Sequence, residues 1–337
     1  MLRIAVTLGA MLLAGSAFQL AQPQAVAPAR MSRLVPAGVA PVLPRTDRPM
    51  VLPPPSFPVS GNLSRTPRKV ASRVALPGPV VKYRRAVTPI LALPRVLPGR
   101  AARVPILMYH HVSSAVAATP LNYSLTVTDA DFGAQLHYLR AHGYHPVLLT
   151  QVFAALYQNK PLPSRPIVLT FDDGYSDNFT EALPLLRQYH MAGEFNIISA
   201  YVGITLGVNR YMNWPQLKAL VAAGMEIGSH TVDHQDLGLL PETKIRFELR
   251  DSRSVLQRKL GVPVQFLAYP AGQPIARGNA DQVREVLRLL PQYGYVGALC
   301  DGPWDSSLQH ASSPYTLWRI RVAGGESLSA FAGSLPA

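Results

Sequence analysis

The sequence predicts an α/β fold, a barrel of the (β/α) type around a mainly parallel sheet. Two observations carry this. From residue 105 onward, short apolar and β-branched runs alternate with amphipathic stretches, seven or eight times over about 230 residues. Polar residues also collect where the apolar runs end: His110, Asp172-Asp173, His230 and Tyr269-Pro270. Barrels of this kind place their functional groups at that end of the strands.

The elements follow in order. Residues 105–109 are an apolar strand running into His110-His111, and 131–142 an amphipathic helix closed by Gly143. Residues 146–149 read as a strand, Thr150 as an N-cap and 151–158 as a helix. Residues 167–171 are a buried strand, 178–189 a helix and 194–198 a strand. A helix over 214–223 closes at Gly224, a strand spans 225–228, and a long helix over 241–260 closes at Gly261. Then come a strand over 265–269, a helix over 281–289, strands over 295–299 and 317–322, and a final helix opening at 327–331.

The stretch before this domain is of another kind. Residues 1–22 carry Arg3 and then an uncharged apolar run, which reads as a signal peptide or N-terminal anchor. Residues 23–103 hold 14 Lys+Arg against one acid, Asp47, and half of the 32 prolines. No apolar period survives those prolines, so the segment reads as a disordered, basic, Pro-rich linker. The net charge of +13 thus belongs to the linker, while residues 104–337 are nearly neutral. The chain is expected to be exported, to the periplasm or beyond the cell, and the linker to meet an anionic membrane or cell-wall surface. Nucleic acid is a poor partner for it, because only Phe57 and Tyr83 interrupt the basic residues as stacking groups. The single cysteine, Cys300, excludes an internal disulfide and reads as a buried, inert thiol.

The chemistry gathers in two short stretches. Thr170-Phe171-Asp172-Asp173-Gly174-Tyr175 closes an apolar strand with two carboxylates and a turn glycine. Neighbouring residues of a strand face opposite ways, so one acid can bind a metal while the other moves a proton. Ser229-His230-Thr231-Val232-Asp233-His234 follows another strand and brings two imidazoles four residues apart. One carboxylate and two imidazoles with an open position form the donor set of a catalytic metal. Asp233 and Asp236 flank these ligands, as orienting groups or as caps of the next turn. Trp214, Tyr211 and Trp304 offer flat faces for sugar rings or for packing.

Together with Phe266-x-Ala268-Tyr269-Pro270-x-Gly272, these stretches resemble the successive motifs of the polysaccharide deacetylases, carbohydrate esterase family 4, with its NodB-type domain. The resemblance covers residues 104–325 and implies a distorted (β/α)7 barrel that removes acetyl groups from N-acetylated sugars. It implies Asp172 as general base, Asp173, His230 and His234 as ligands of a divalent metal (Zn2+, with Co2+ or Ni2+ as alternatives), and the Tyr175 amide as oxyanion donor. Tyr269 and Pro270 of the third motif, and Trp214 by its flat face, are the expected substrate-binding residues. Two departures stand out: the third motif lacks its usual arginine, and the late Leu-x-His that supplies the general acid is missing from Leu317-Trp318-Arg319-Ile320-Arg321-Val322. In compensation, Leu107-Met108-Tyr109-His110-His111 resembles the subgroup acting on poly-N-acetylglucosamine, whose acid lies at the start of the domain. His110 matches that acid, and His111 is expected to point elsewhere. The function implied is metal-dependent N-deacetylation of a biofilm glycan, peptidoglycan or chitin-like polymer. An O-acetyl esterase on a glycan and a catalytically silent glycan-binding domain are the alternatives.

Overall fold

Along residues 166–171 successive side chains enter different layers. Val168 packs with Ile106, Phe266, Ala268, Leu299 and Leu317, whereas Ile167, Leu169 and Phe171 pack with Phe132, Leu136 and Leu139. This is the two-residue period of a strand with both faces covered. The structure, a computed structural model, describes residues 90–92, 99–115, 119–302 and 307–336. All of these fall in the unit Ala75–Ala337. The predicted leader, most of the predicted linker and Trp304 lie outside the described residues.

Seven strands form the ring of the sheet: β1 (Ile106–Tyr109), β2 (Pro166–Phe171), β3 (Glu194–Ile197), β4 (Glu226–Ser229), β5 (Phe266–Ala268), β6 (Gly297–Asp301) and β7 (Leu317–Arg321), and the two-residue strand His145–Pro146 pairs in parallel with the start of β2. All pair in parallel, in the order β1-β7-β6-β5-β4-β3-β2. β2 returns to β1 with the register Ile106↔Val168 through Tyr109↔Phe171, so the sheet closes into the expected seven-stranded barrel. Closure removes the open edges that a flat parallel sheet would expose.

Besides a six-residue helix at Pro120–Leu125, the helices are α1 (Asp129–Ala141), α2 (Leu149–Gln158), α3 (Leu183–Tyr189), α4 (Trp214–Ala222), α5 (Glu242–Leu260), α6 (Ala280–Leu289) and α7 (Leu328–Gly333). Side-chain caps set several starts: Thr128, Asn213, Asn279 and Ser327 each accept a backbone N–H of the first turn. Among the described residues no helix is long and apolar enough to cross a membrane. Helix α2 has a separate role. Its Val152, Phe153 and Leu156 pack on the inward-facing layer at the N-terminal ends of the strands, and so close the barrel floor. Gly297, first in β6, makes room for it: a Cβ there would stand 2.8 Å from Cε2 of the Phe153 ring.

Three sequence expectations shift. Thr150 is not an N-cap but the second residue of α2, and its N–H (3.4 Å) and hydroxyl both bind the buried Glu226 carboxylate. A tertiary acid has taken the side chain that a helix start would otherwise use. The helix expected over 178–189 opens with a wider π-turn at Asn178–Ala182 before α3. The linker boundary at residue 103 falls inside packed structure. Ala101–Arg103 pairs antiparallel with Leu308–His310, and the buried Leu91 donates its N–H to Gln265 Oε1 at 2.6 Å. Leu91 and Ala102 are apolar residues between basic ones, and the floor cluster is where they bury.

A chain beginning at residue 104 should therefore melt several degrees below one beginning at residue 90. Burying one leucine contributes roughly 1.5–3 kcal/mol, and each kcal/mol moves Tm by about 2–4 °C in a domain of this size. Equal melting temperatures by calorimetry would show that the segment adds nothing.

Candidate active site

β2 ends at Phe171, and the chain leaves it through a strained turn. Asp173 has φ 71° and Gly174 φ 81°. The left-handed region is costly for a residue with a Cβ and tends to persist where function requires it. The turn separates the two carboxylates. Asp172 keeps the inward parity of Val168 and Thr170, while Asp173 is swung across to the loop after β4.

Asp172 is 2 % exposed and is held by two donors at Oδ1, Arg319 Nη1 at 2.8 Å and Asn196 Nδ2 at 2.8 Å. Burial pushes its pKa up, but the Arg319 guanidinium and His230 outweigh this and hold the carboxyl down at about 2. Arg319 is buried too, and it also reaches Thr170 Oγ1 at 3.3 Å and Asp301 Oδ1 at 3.4 Å. Asp172 is thus ionised throughout the neutral range, as a proton acceptor must be.

Asp173 meets the two histidines. Its Oδ1 lies 3.3 Å from His230 Nε2 and 3.4 Å from His234 Nε2, and the three ligand atoms lie within 4.8 Å of one another. Asp173 Oδ1 is buried and makes no hydrogen bond, which is the state expected of a ligand atom before a cation is counted. His230 Nδ1 faces the Ala268 carbonyl at 2.8 Å. A carbonyl only accepts, so Nδ1 carries a proton, and Nε2 is the ring nitrogen that faces Asp173 and is left to bind an ion. Burial, and then the neighbouring His230, lower His234 to about 4, leaving it neutral at physiological pH. Burial lowers His230 as well, but Asp172 and Asp173 pull it above its ordinary value; a cation would displace that proton. The residues present fit a divalent metal with nitrogen and oxygen ligands.

His110 follows β1. Its Nδ1 is buried without a partner, and its carbonyl accepts from Asn178 Nδ2 at 2.7 Å. Burial lowers its pKa, opposed by the charges of Asp173 and Asp172. Tyr175 bridges to Tyr211 through the N–H groups of Ser176 and Met212, which leaves the Tyr175 N–H outside the ladder.

The His111 side chain has partners other than the metal-ligand set. It stacks on the Tyr175 ring at 3.5 Å and binds Asp177 Oδ2 through Nδ1 at 2.5 Å. The Tyr211 ring lies 5.2 Å from the Tyr175 ring, and the Tyr201 ring 5.0 Å from that of Tyr211. Burial, with Asp173 adding to it, raises the Tyr211 phenol to about 12.

The expected substrate-binding residues lie elsewhere. Tyr269 is fully buried with its hydroxyl on the Tyr315 carbonyl at 2.9 Å, and Pro270 is buried at the start of a 3-10 turn. Neither offers a face to a sugar, because residue 269 continues the buried run of β5. Trp214 sits at the start of α4, packed on the outer core beneath the Lys259 ammonium. Asp236 caps the next turn by accepting the Gly238 N–H at 2.8 Å. Cys300 is buried as expected, and burial raises its thiol.

Arg319 and Asn196 were not found from sequence. An arginine inside the apolar run of β7, at the parity of Leu317, was the available signal, since a lone buried charge demands a partner.

The polysaccharide deacetylase pattern matches residues 159–295. Over 232 residues, 69 % of this chain and 76 % of the relative, the sequence is 31 % identical to a Bacillus subtilis protein named "Putative polysaccharide deacetylase YxkH". It is 26 % identical to the poly-β-1,6-N-acetyl-D-glucosamine N-deacetylase of Escherichia coli K12 over 62 % of this chain, which spans only 35 % of that relative. Among solved structures, the Streptococcus pyogenes deacetylase PplD in complex with acetate superposes with a TM-score of 0.59 at 25 % identity, covering 70 % of this chain and 99 % of PplD.

Replacing Arg319 by methionine should destabilise the fold by roughly 3–5 kcal/mol, because a buried carboxylate loses its partner. Losing the guanidinium also raises the Asp172 carboxyl, so a reaction that uses Asp172 as its proton acceptor would have the acidic limb of its rate profile moved to higher pH. A profile and melting curve like those of the unsubstituted protein would show that Arg319 does not set the state of Asp172.

Proposed function

The chain belongs to the polysaccharide deacetylase family, and on that premise we propose that it is a metal-dependent N-deacetylase of a polysaccharide containing N-acetylglucosamine. The observation that carries the reading is the division of labour between adjacent acids: Asp172 held ionised by Arg319, Asp173 turned to two imidazoles. Asp173, His230 and His234 would hold the ion, with zinc favoured by the donor set and cobalt or nickel as alternatives. When bound, such an ion polarises the acetyl carbonyl and acidifies water at the site.

The remaining steps belong to this chain's residues. Asp172 accepts a proton from the attacking water. The Tyr175 N–H donates to the oxygen that gains negative charge. His110 delivers a proton to the leaving sugar nitrogen, which departs as an amine while acetate is formed. Amide cleavage needs that proton more than ester cleavage does, so the place of His110 supports N-deacetylation over O-deacetylation. The E. coli relative's polymer, β-1,6-linked N-acetylglucosamine, is the first substrate to test. The apolar leader and basic linker support export and retention at an anionic surface.

Acetate release from acetylated β-1,6-, β-1,4- and peptidoglycan-derived oligomers, with and without added zinc, tests the reading. Asp173→Ala should lose both metal and turnover. His110→Ala should keep its metal and lose about 10²–10⁴-fold on the amide, with far less effect on an activated acetate ester. Full activity in Asp173→Ala, or no acetate from any oligomer, contradicts the proposal.

A further inference from the structure

The loop that carries both histidines is not a helix, although its ligands are four residues apart. Thr231 and His234 both have φ 65°, so the chain twice enters the left-handed region within four residues. A segment so shaped has no regular ladder, and its backbone donors need other partners. They have them in unbroken succession. The His230 N–H donates to Ile197 O at 2.9 Å, Thr231 to Ser229 Oγ at 3.3 Å, Val232 to Glu248 Oε2 at 2.7 Å, Asp233 to the same oxygen at 3.3 Å, and His234 to Thr231 Oγ1 at 3.1 Å.

Three of these five bonds lead to one helix. Glu248 and Ser252 stand one turn apart on α5 and face the same way. Glu248 is 1 % exposed and takes two consecutive N–H groups directly. Ser252, wholly buried, binds the Ser229 hydroxyl at 2.8 Å, and that hydroxyl receives the Thr231 N–H. Successive N–H groups converging on one oxygen form an anion-binding concavity, here filled by the protein's own carboxylate. A glutamate buried this deeply is costly unless such donors meet it.

We infer that Glu248, supported by Ser252, is a positioning residue that holds the loop in its left-handed shape and so fixes the separation of the His230 and His234 rings before any ion arrives. The inference rests on the reading that Asp173, His230 and His234 hold a metal. Neither Glu248 nor Ser252 touches the reacting atoms. Their effect falls on metal affinity, because a preformed loop spares the ordering of two ligands on binding, and groups that orient metal ligands commonly change affinity by about 10–100-fold.

The full chain is stripped of metal and titrated with Zn2+ against a competing chromophoric chelator, well below its melting temperature. Glu248→Ala should bind zinc about 10–100-fold more weakly. Glu248→Gln, which keeps an oxygen acceptor, should recover part of that loss, and Ser252→Ala should lose less than Glu248→Ala. Turnover at saturating zinc should stay within a few-fold of the unsubstituted enzyme in all three. Leu256→Ala, on the same helix in the outer core, is the control: it should lower Tm without changing zinc affinity. Should Glu248→Ala fail to fold, the Gln and Ser252 variants carry the comparison. Unchanged zinc affinity in folded Glu248 and Ser252 variants overturns the inference and leaves the metal site standing. An unsubstituted chain that binds no zinc overturns both.

Discussion

Two negative charges on consecutive residues at the C-terminal end of an apolar strand set the terms for the rest of the site. Left together in a dry barrel, Asp172 and Asp173 would repel each other, and one would take up a proton. The fold separates them by a left-handed turn at Asp173 and supplies different partners to each. Asp172 receives Arg319 from β7 and Asn196 from β3; Asp173 receives two imidazoles from the loop after β4. Three strands from different parts of the ring must therefore stand in place before both carboxylates are satisfied. Only a closed barrel brings β7 to the side of β1 and β2.

The interior reads as three levels. At the floor, α2 plugs the barrel with Val152, Phe153 and Leu156. Above it lies a polar layer in which Thr170, Arg319, Asn196 and Asp172 bind one another. At the mouth stand His110, Asp173, His230 and His234. The apolar floor excludes water from below, so the charges of the middle layer act in a low dielectric and hold Asp172 ionised with little freedom to move. Helix α5 lies outside the ring, yet Glu248 and Ser252 give its inner face a part in shaping the mouth.

Much of this was legible in sequence because it is local. Strand parity separates Asp172 from Asp173, and the strand order places the histidine loop at the same end of the barrel as both. What was not legible depends on partners far along the chain. Arg319 looked like part of a stretch that merely lacked a histidine, and its meaning appears only when β7 closes against β1. Thr150 has the residue type of an N-cap, but Glu226 from β4 claims its hydroxyl. Tyr269 was expected to face substrate because its motif does so by resemblance; here it completes a buried strand and bonds the Tyr315 carbonyl. Leu91 and the 101–103 strand were hidden by the proline-rich composition around them, which gave no sign of the floor cluster that accepts them.

The account depends most on Asp173, His230 and His234 serving as ligands to one ion. An anomalous difference map at the zinc edge, from crystals of the zinc-loaded protein, addresses this directly. We predict a single strong peak about 2.0–2.2 Å from an Asp173 oxygen and from Nε2 of both His230 and His234, with Asp172 still on Arg319. A peak coordinated by Asp172, or no peak at the barrel mouth, would contradict it.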